Sequence, residues 1–312
     1  MKIGVLMGGI SAEREVSLKT GGNMLASIDP NKYEVVPIIL DTKYDVMDKC
    51  NGIEFALLAL HGKYGEDGQI QSILDAMGIP YSGSDVKSSA IAMDKDLAKV
   101  VLRGRGITTA DWITIKEGDN LSDLAIPFLQ QKGKVVVKPN SGGSSVMTFI
   151  CEDEKHFQEC IEKVLSVDSE VMVEEFISGE ELTVPILEGR VLPTISIMPP
   201  DGFFDYTAKY QEEAHGGAKE EVIHLPEDLQ NSINEISLAT YNALKCSVYG
   251  RVDLILQDGI PYVLEMNTLP GMTPTSLIPK SAKSIGMSYT QLVEEIIRAS
   301  LRRWDKDQVR GV

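Results

Sequence analysis

The chain predicts a mixed α/β fold, with a parallel sheet first and an α+β arrangement toward the end. Three observations carry this. Residues 1 to about 93 alternate strand-like and helix-like patterns, and such alternation builds a parallel sheet with helices on its faces. A period-two hairpin pattern runs from Arg251 to Asn267. The 312 residues, 43% apolar and 24% charged, suffice for two or three small domains with their own cores.

The elements follow in order. Lys2 to Met7 is an apolar strand ending at Gly8-Gly9, and residues 15–28 read as a helix. Tyr33 to Leu40 and Phe55 to Leu60 are strands, the second ending at His61-Gly62. Gln69 to Met77 is a short helix closed by Gly78. Ligands of parallel sheets sit beyond the carboxyl ends of the strands, where both glycine pairs fall. Asp94 to Arg103 is a helix broken by Gly104 and Gly106. The strand Val135-Val136-Val137 ends in Lys138-Pro139 and enters Asn140-Ser141-Gly142-Gly143-Ser144-Ser145. Val171-Met172-Val173 precedes Glu174-Glu175-Phe176-Ile177, and a last helix spans Tyr289 to Arg303. These changes divide the chain at 1–93, 94–178 and 179–312.

Composition excludes several classes. A net charge of −16 argues against nucleic-acid binding. No apolar run is long enough to span a membrane, and the glycine-rich start is unlike a signal peptide. Cys50, Cys151, Cys160 and Cys246 have neither metal-type nor disulfide-type spacing and read as reduced thiols of a cytoplasmic protein. His156 and His215 read as solvated surface residues.

The hairpin carries the strongest chemical pattern. Asp253, Glu265 and Asn267 share a face if its loop holds an odd number of residues. A three-residue loop, Gln257-Asp258-Gly259, with Gly259 left-handed would supply that parity. Three oxygen donors on one face suit Mg²⁺, and Arg251 suits an anion or a developing oxyanion. A polar, solvated hairpin face has the same residues. The 140–145 loop offers backbone N–H groups and hydroxyls to phosphate without Walker A spacing, although a plain surface loop looks similar. Lys138 tips the balance, because a lysine ending a three-valine strand needs an anionic partner. Around Phe176-Ile177-Ser178-Gly179, Glu174, Glu175 and Glu181 suit a ribose and the main chain an adenine edge, or else form a charged turn. The aromatic run from Phe203 to Tyr210, with Lys209, suits a water-excluding lid or a local apolar patch. His61 and Glu66 are polar site residues or turn formers.

Several segments recur as an ordered set. They are Gly8-Gly9-Ile10-Ser11-Ala12-Glu13-Arg14-Glu15-Val16-Ser17, Ala59-Leu60-His61-Gly62 through Gly65-Glu66-Asp67-Gly68, and Met93-Asp94-Lys95. Then come Lys138-Pro139 with Gly143-Ser144-Ser145-Val146, and Asp205-Tyr206-Thr207-Ala208-Lys209-Tyr210. Gly250-Arg251-Val252-Asp253 and Glu265-Met266-Asn267-Thr268-Leu269-Pro270-Gly271-Met272-Thr273 close the set. Over nearly its whole length the chain resembles the D-alanine–D-alanine ligases of the ATP-grasp superfamily. One position departs: Met147 stands where the family usually has glycine.

The resemblance implies an N-terminal Rossmann-like substrate domain (1–93) followed by a two-lobed ATP-grasp unit, with the metal and catalytic site in the last lobe. It implies that ATP phosphorylates the carboxylate of one D-alanine and that the amine of a second attacks the acyl phosphate. Two Mg²⁺ ions, or Mn²⁺ in their place, would be held by Asp253, Glu265 and Asn267. Lys95, Lys138 and Lys209, with Ser144 and Ser145, would bind phosphates, and Glu174, Glu175, Ile177 and Glu181 the adenosine. Arg251 and the N–H of Gly271 would stabilise the oxyanion. Glu15 and His61 would serve the first D-alanine and Ser276 the second. Ser144 and Tyr210, linked to Glu15, would lock the lid. A homodimer in the cytoplasm is expected. The rivals are a D-alanine–D-lactate ligase, another ATP-grasp carboxylate–amine ligase, and a regulatory nucleotide-binding protein. Tyr210 favours the dipeptide over the depsipeptide, Glu15 and Ser276 disfavour the second rival, and the complete metal set disfavours the third.

Overall fold

The computed structural model describes residues 1–143, 147–198 and 218–309. Its first sheet is parallel, in the order β2-β1-β3, from β1 (Lys2–Gly8), β2 (Glu34–Leu40) and β3 (Phe55–Leu58). Helices α1 (Arg14–Ser27), α2 (Asp45–Lys49), α3 (Gln69–Met77), α4 (Val86–Met93) and α5 (Lys95–Gly104) follow or connect these strands. The alternation read from the sequence is the observed one, with ends moved by a residue or two. The chain leaves β1 through Gly8 and Gly9, at φ 89° and 87°. A Cβ on Gly8 would lie 2.7 Å from the carbonyl oxygen of Leu40, so only glycine fits this strand exit.

The second sheet is antiparallel, in the order β4-β7-β5-β6. It comprises β4 (Trp112–Lys116), β5 (Val135–Pro139), β6 (Phe149–Cys151) and β7 (Glu170–Glu175), with α6 (Ala125–Lys132) and α7 (Glu154–Leu165) beside it. Val135, Val137, Cys151, Phe157, Cys160 and Ile161 close its own core.

The third sheet, also antiparallel, runs β11-β10-β8-β12-β13, with β9 paired to β8. Its strands are β8 (Glu180–Leu187), β9 (Arg190–Val191), β10 (Ile195–Met198), β11 (Lys219–Val222), β12 (Tyr249–Gln257) and β13 (Ile260–Asn267). Helices α8 (Glu227–Ala243), α9 (Leu277–Ser284) and α10 (Tyr289–Val309) complete the chain. The last helix runs six residues beyond the expected Arg303, since no glycine intervenes before Gly311. It packs back on the first sheet: Leu292, Val293, Ile296 and Ile297 share a core with Ile3, Val5 and Leu57.

Candidate active site

The hairpin forms, but not with the expected loop. Gln257 pairs with Ile260, leaving a two-residue turn, Asp258-Gly259, with both residues at positive φ (51° and 80°). Such a turn matches the strand twist. An even loop alone would put Glu265 on the wrong face. A β-bulge between Asp253 and Leu254 restores the parity: Leu254 opposes Val263, while Asp253 opposes Glu265 and Arg251 opposes Asn267. The expected shared face is therefore present, produced by an extra residue in β13 rather than by a third loop residue.

Adding β8 gives three cross-strand rows on that face. One row is Glu181, Ile255 and Tyr262; the next is Thr183, Asp253 and Glu265; the third is Pro185, Arg251 and Asn267. In the middle row the Thr183 hydroxyl donates to Asp253 Oδ1 at 2.5 Å. Arg251 grips the same carboxylate with both arms of its fork, Nε to Oδ1 at 2.8 Å and Nη2 to Oδ2 at 2.7 Å. Burial opposes the Arg251 charge, but Asp253 outweighs it and the guanidinium is held well above its ordinary pKa. Glu265, half-buried, meets Lys95 Nζ at 3.1 Å. Burial would raise Glu265; Lys95, Lys138 and Arg251 overcome this and hold it below the usual carboxylate range. Asn267 Oδ1 accepts from the Leu269 N–H at 3.2 Å.

Lys95, at the first position of α5, also donates to the Gly142 carbonyl, so one ammonium ties the hairpin to the 140–143 segment. Lys138 Nζ donates to Glu174 Oε2 at 2.6 Å. The other oxygen of Glu174 accepts from Lys99, which also donates to Thr109 at 2.5 Å. Burial would raise Glu174, yet the ammoniums of Lys138 and Lys99 hold its pKa at about 2. Lys99 was not singled out from the sequence; a lysine four residues after Lys95 looks like helix surface until tertiary structure buries it. Both oxygens of Glu174 are thus committed to lysines rather than open to an adenosine. Glu175 is likewise engaged, with Lys132 at 2.9 Å. Glu181 is buried on the adjoining strand, and Ile177 lies half-buried in the connection between β7 and β8. That connection hugs β12: a Cβ on Gly179 would lie 2.2 Å from the Leu256 carbonyl oxygen.

At the first sheet, buried His61 lies 3.1 Å from the Thr20 hydroxyl and 3.5 Å from Glu66 Oε1. Glu15 is exposed on α1. Glu13, two residues earlier and half-buried, faces inward instead. Its Oε2 would lie 2.7 Å from a Cβ on Gly62 and 3.8 Å from one on Gly143. Of the two carboxylates in the run Glu13-Arg14-Glu15, Glu13, just before α1, is the one turned toward Gly62 and Gly143. Ser276 caps α9 and accepts from the Thr273 N–H at 3.0 Å, and Gly271 lies against it. Ser144, Ser145, Lys209 and Tyr210, with the 203–210 run and His215, lie outside the described residues.

A family profile described as D-ala D-ala ligase N-terminus matches residues 2–49 and 43–84, and one described as D-ala D-ala ligase C-terminus matches 101–298. The chain belongs to the D-alanine–D-alanine ligase family. It is an enzyme of that ATP-dependent ligase class. A D-alanine–D-alanine ligase of Clostridium beijerinckii is 51% identical over 97% of this chain and 99% of its own. The crystal structure of the Bacillus anthracis ligase superimposes with a TM-score of 0.91 at 51% identity, covering 98% of this chain and 99% of that one. A crystal structure of the same ligase complexed with ATP gives 0.88 at 48% identity, with the same coverage. The D-Ala:D-Ser ligase of Enterococcus faecalis gives 0.81 at 28% identity, covering 96% of this chain and 99% of that one.

Within this ligase framework Met147 is informative. Its φ is 59°, so a methionine occupies the left-handed conformation that glycine adopts without penalty. Its side chain packs on the core of the second sheet, which offsets part of that strain. His156, read as solitary, instead lies 3.3 Å from Cys160.

Proposed function

We propose that the chain makes D-alanyl-D-alanine from two D-alanines and ATP, on the face shared by β8, β12 and β13. The observation that supports this is the set of three cross-strand rows, whose side chains suit a nucleoside, phosphates and an oxyanion in turn. The outer row offers Glu181 to the ribose hydroxyls and Ile255 to the base, with Ile177 beside them in the β7–β8 connection. Glu175 serves the same end through its main chain, and Glu174 acts through Lys138. Lys95 and Lys138, with Ser144, Ser145 and Lys209, take the phosphates. His61, Glu13 and Arg251 orient the first D-alanine, and Ser276 the carboxylate of the second. Arg251 and the Gly271 N–H neutralise the oxyanion formed when the second amine attacks, and Tyr210 completes the lid. We assign units 1–93, 94–178 and 179–312 to substrate, central and catalytic roles.

Asp253, Glu265 and Asn267 suit Mg²⁺ or Mn²⁺. They are hard oxygen donors, and the two carboxylates stand directly opposite each other, where Arg251 and Lys95 meet part of their charge and a divalent ion would meet the rest. Bound there, two ions would neutralise charge on the transferred phosphoryl group. A cytoplasmic location is part of this proposal, since its four free, buried thiols would stay reduced there. No helix among the described residues is long and apolar enough to cross a membrane. Exposed Ile39, Tyr44 and Met47 at the β2 edge suit a homodimer contact.

The test is mass spectrometry of products from ATP, D-alanine and D-lactate in competition. Dipeptide with D-alanine-dependent phosphate release supports the reading. A depsipeptide product, or phosphate release without D-alanine, overturns it.

A further inference from the structure

Three side chains with metal-binding chemistry converge on the second sheet, remote from the carboxylate rows. Cys151 ends β6, while His156 and Cys160 lie one turn apart on α7. Their ligating atoms all fall within 4.8 Å of one another. His156 Nε2 is 3.3 Å from Cys160 Sγ. Both thiols are fully buried, and the imidazole is exposed. Asp153 caps α7 by accepting from the His156 N–H at 2.9 Å, which fixes the turn that presents the ring.

The site is separate from the nucleotide side. Cys151 pairs with Val135 and shares the helix-facing core of the second sheet. Lys138, three residues along from Val135, projects from the opposite face toward Glu174.

We propose that Cys151, His156 and Cys160 bind Zn²⁺, with the fourth position open to solvent on the His156 side. Two sulfurs and one imidazole form the borderline-soft set that zinc prefers over magnesium. Zn–S and Zn–N bonds of roughly 2.3 and 2.1 Å at a tetrahedral angle separate sulfur and nitrogen by about 3.6 Å. The observed 3.3 Å is close to that before any rearrangement. Core packing explains the two thiols, but not the approach of the exposed imidazole to one of them through Nε2. Zinc would staple β6 to α7, and β6 leads straight out of the 140–148 segment.

The experiment is a Co²⁺ titration of the untagged full chain, kept reduced with a non-thiol reductant in excess Mg²⁺. The expected result is a thiolate-to-cobalt charge-transfer band that saturates near one equivalent and is bleached by Zn²⁺. Zn²⁺ alone should raise the unfolding midpoint. His156→Gln, an exposed change that leaves the core intact, should weaken Co²⁺ binding at least about tenfold, and Cys160→Ala should abolish the band. The proposal is overturned by absence of the band in wild type, by unchanged Co²⁺ affinity in His156→Gln, or by a band that survives Cys160→Ala. It is equally overturned if Cys151 and Cys160 form a disulfide under the reducing conditions, seen as a loss of two hydrogen masses.

Discussion

Two acidic residues flank the candidate active site and differ in how their charge is met. Glu174 is 2% exposed and has an ammonium on each oxygen, from Lys99 and Lys138. Glu265 has a side chain 34% exposed and one ammonium, from Lys95. The sealed carboxylate has no capacity left for a ligand and acts as a support that aims Lys138. The open one has an oxygen that, under the proposed reading, would face an ion. Between these two glutamates, burial and partner count distinguish a carboxylate held on both oxygens from one held on a single oxygen.

The sharpest way to break this comparison is Glu174→Gln. Removing one member of a buried ion cluster takes the counter-charge from Lys99 and weakens that of Lys138, and should cost about 3–5 kcal/mol of stability. Urea unfolding that shifts by less than about 1 kcal/mol would show that Glu174 is not a support. The same carboxylate makes a pH prediction. Its pKa is depressed to about 2 from 4.5, so its stabilisation is present above pH 4.5 and is lost as the pH falls from there toward 2. Wild type should lose stability across that window, and Glu174→Gln should lack this part of the slope.

Next in size, Glu265→Gln should lower turnover at least about 10²-fold, the scale of losing one group that stabilises transition-state charge. Its unfolding midpoint should barely move, because one exposed edge of the carboxylate already faces solvent. Near-normal phosphate release by the folded variant at saturating Mg²⁺ removes Glu265 from the metal set. Lys138→Ala should raise the ATP KM roughly ten- to 100-fold, about 1–3 kcal/mol, with a far smaller change for D-alanine. An effect confined to D-alanine would reverse the assignment.

The smallest effect expected is from Met147→Gly. Left-handed strain of roughly 1–2 kcal/mol is relieved, against lost packing and the greater chain entropy of glycine, about 0.5–1 kcal/mol. Stability should stay within about 1 kcal/mol of wild type, with activity retained. Inactivation of a folded Met147→Gly protein would give that side chain a role no contact here explains.

Much of this was legible in the sequence, and the exceptions share a cause. Period-two and helical patterns located the parallel strands, the hairpin and the shared face of Asp253, Glu265 and Asn267, because alternation is a local property. The bulge was not legible: an odd loop and a bulged even loop give the same facing from the same residues. The inward side of the Glu13–Glu15 run, the burial of Lys99 and the meeting of His156 with Cys160 all depend on how a helix and its first turn sit against distant strands. Spacing alone does not encode that placement.

The bulge has one more effect. A bulged strand bends and gains twist at the extra residue. Here the bend falls between the row of Ile255 and the row of Asp253. The floor of the shared face therefore bends there, and under the assignment proposed above a nucleotide lying along it would be turned between its nucleoside and its phosphates.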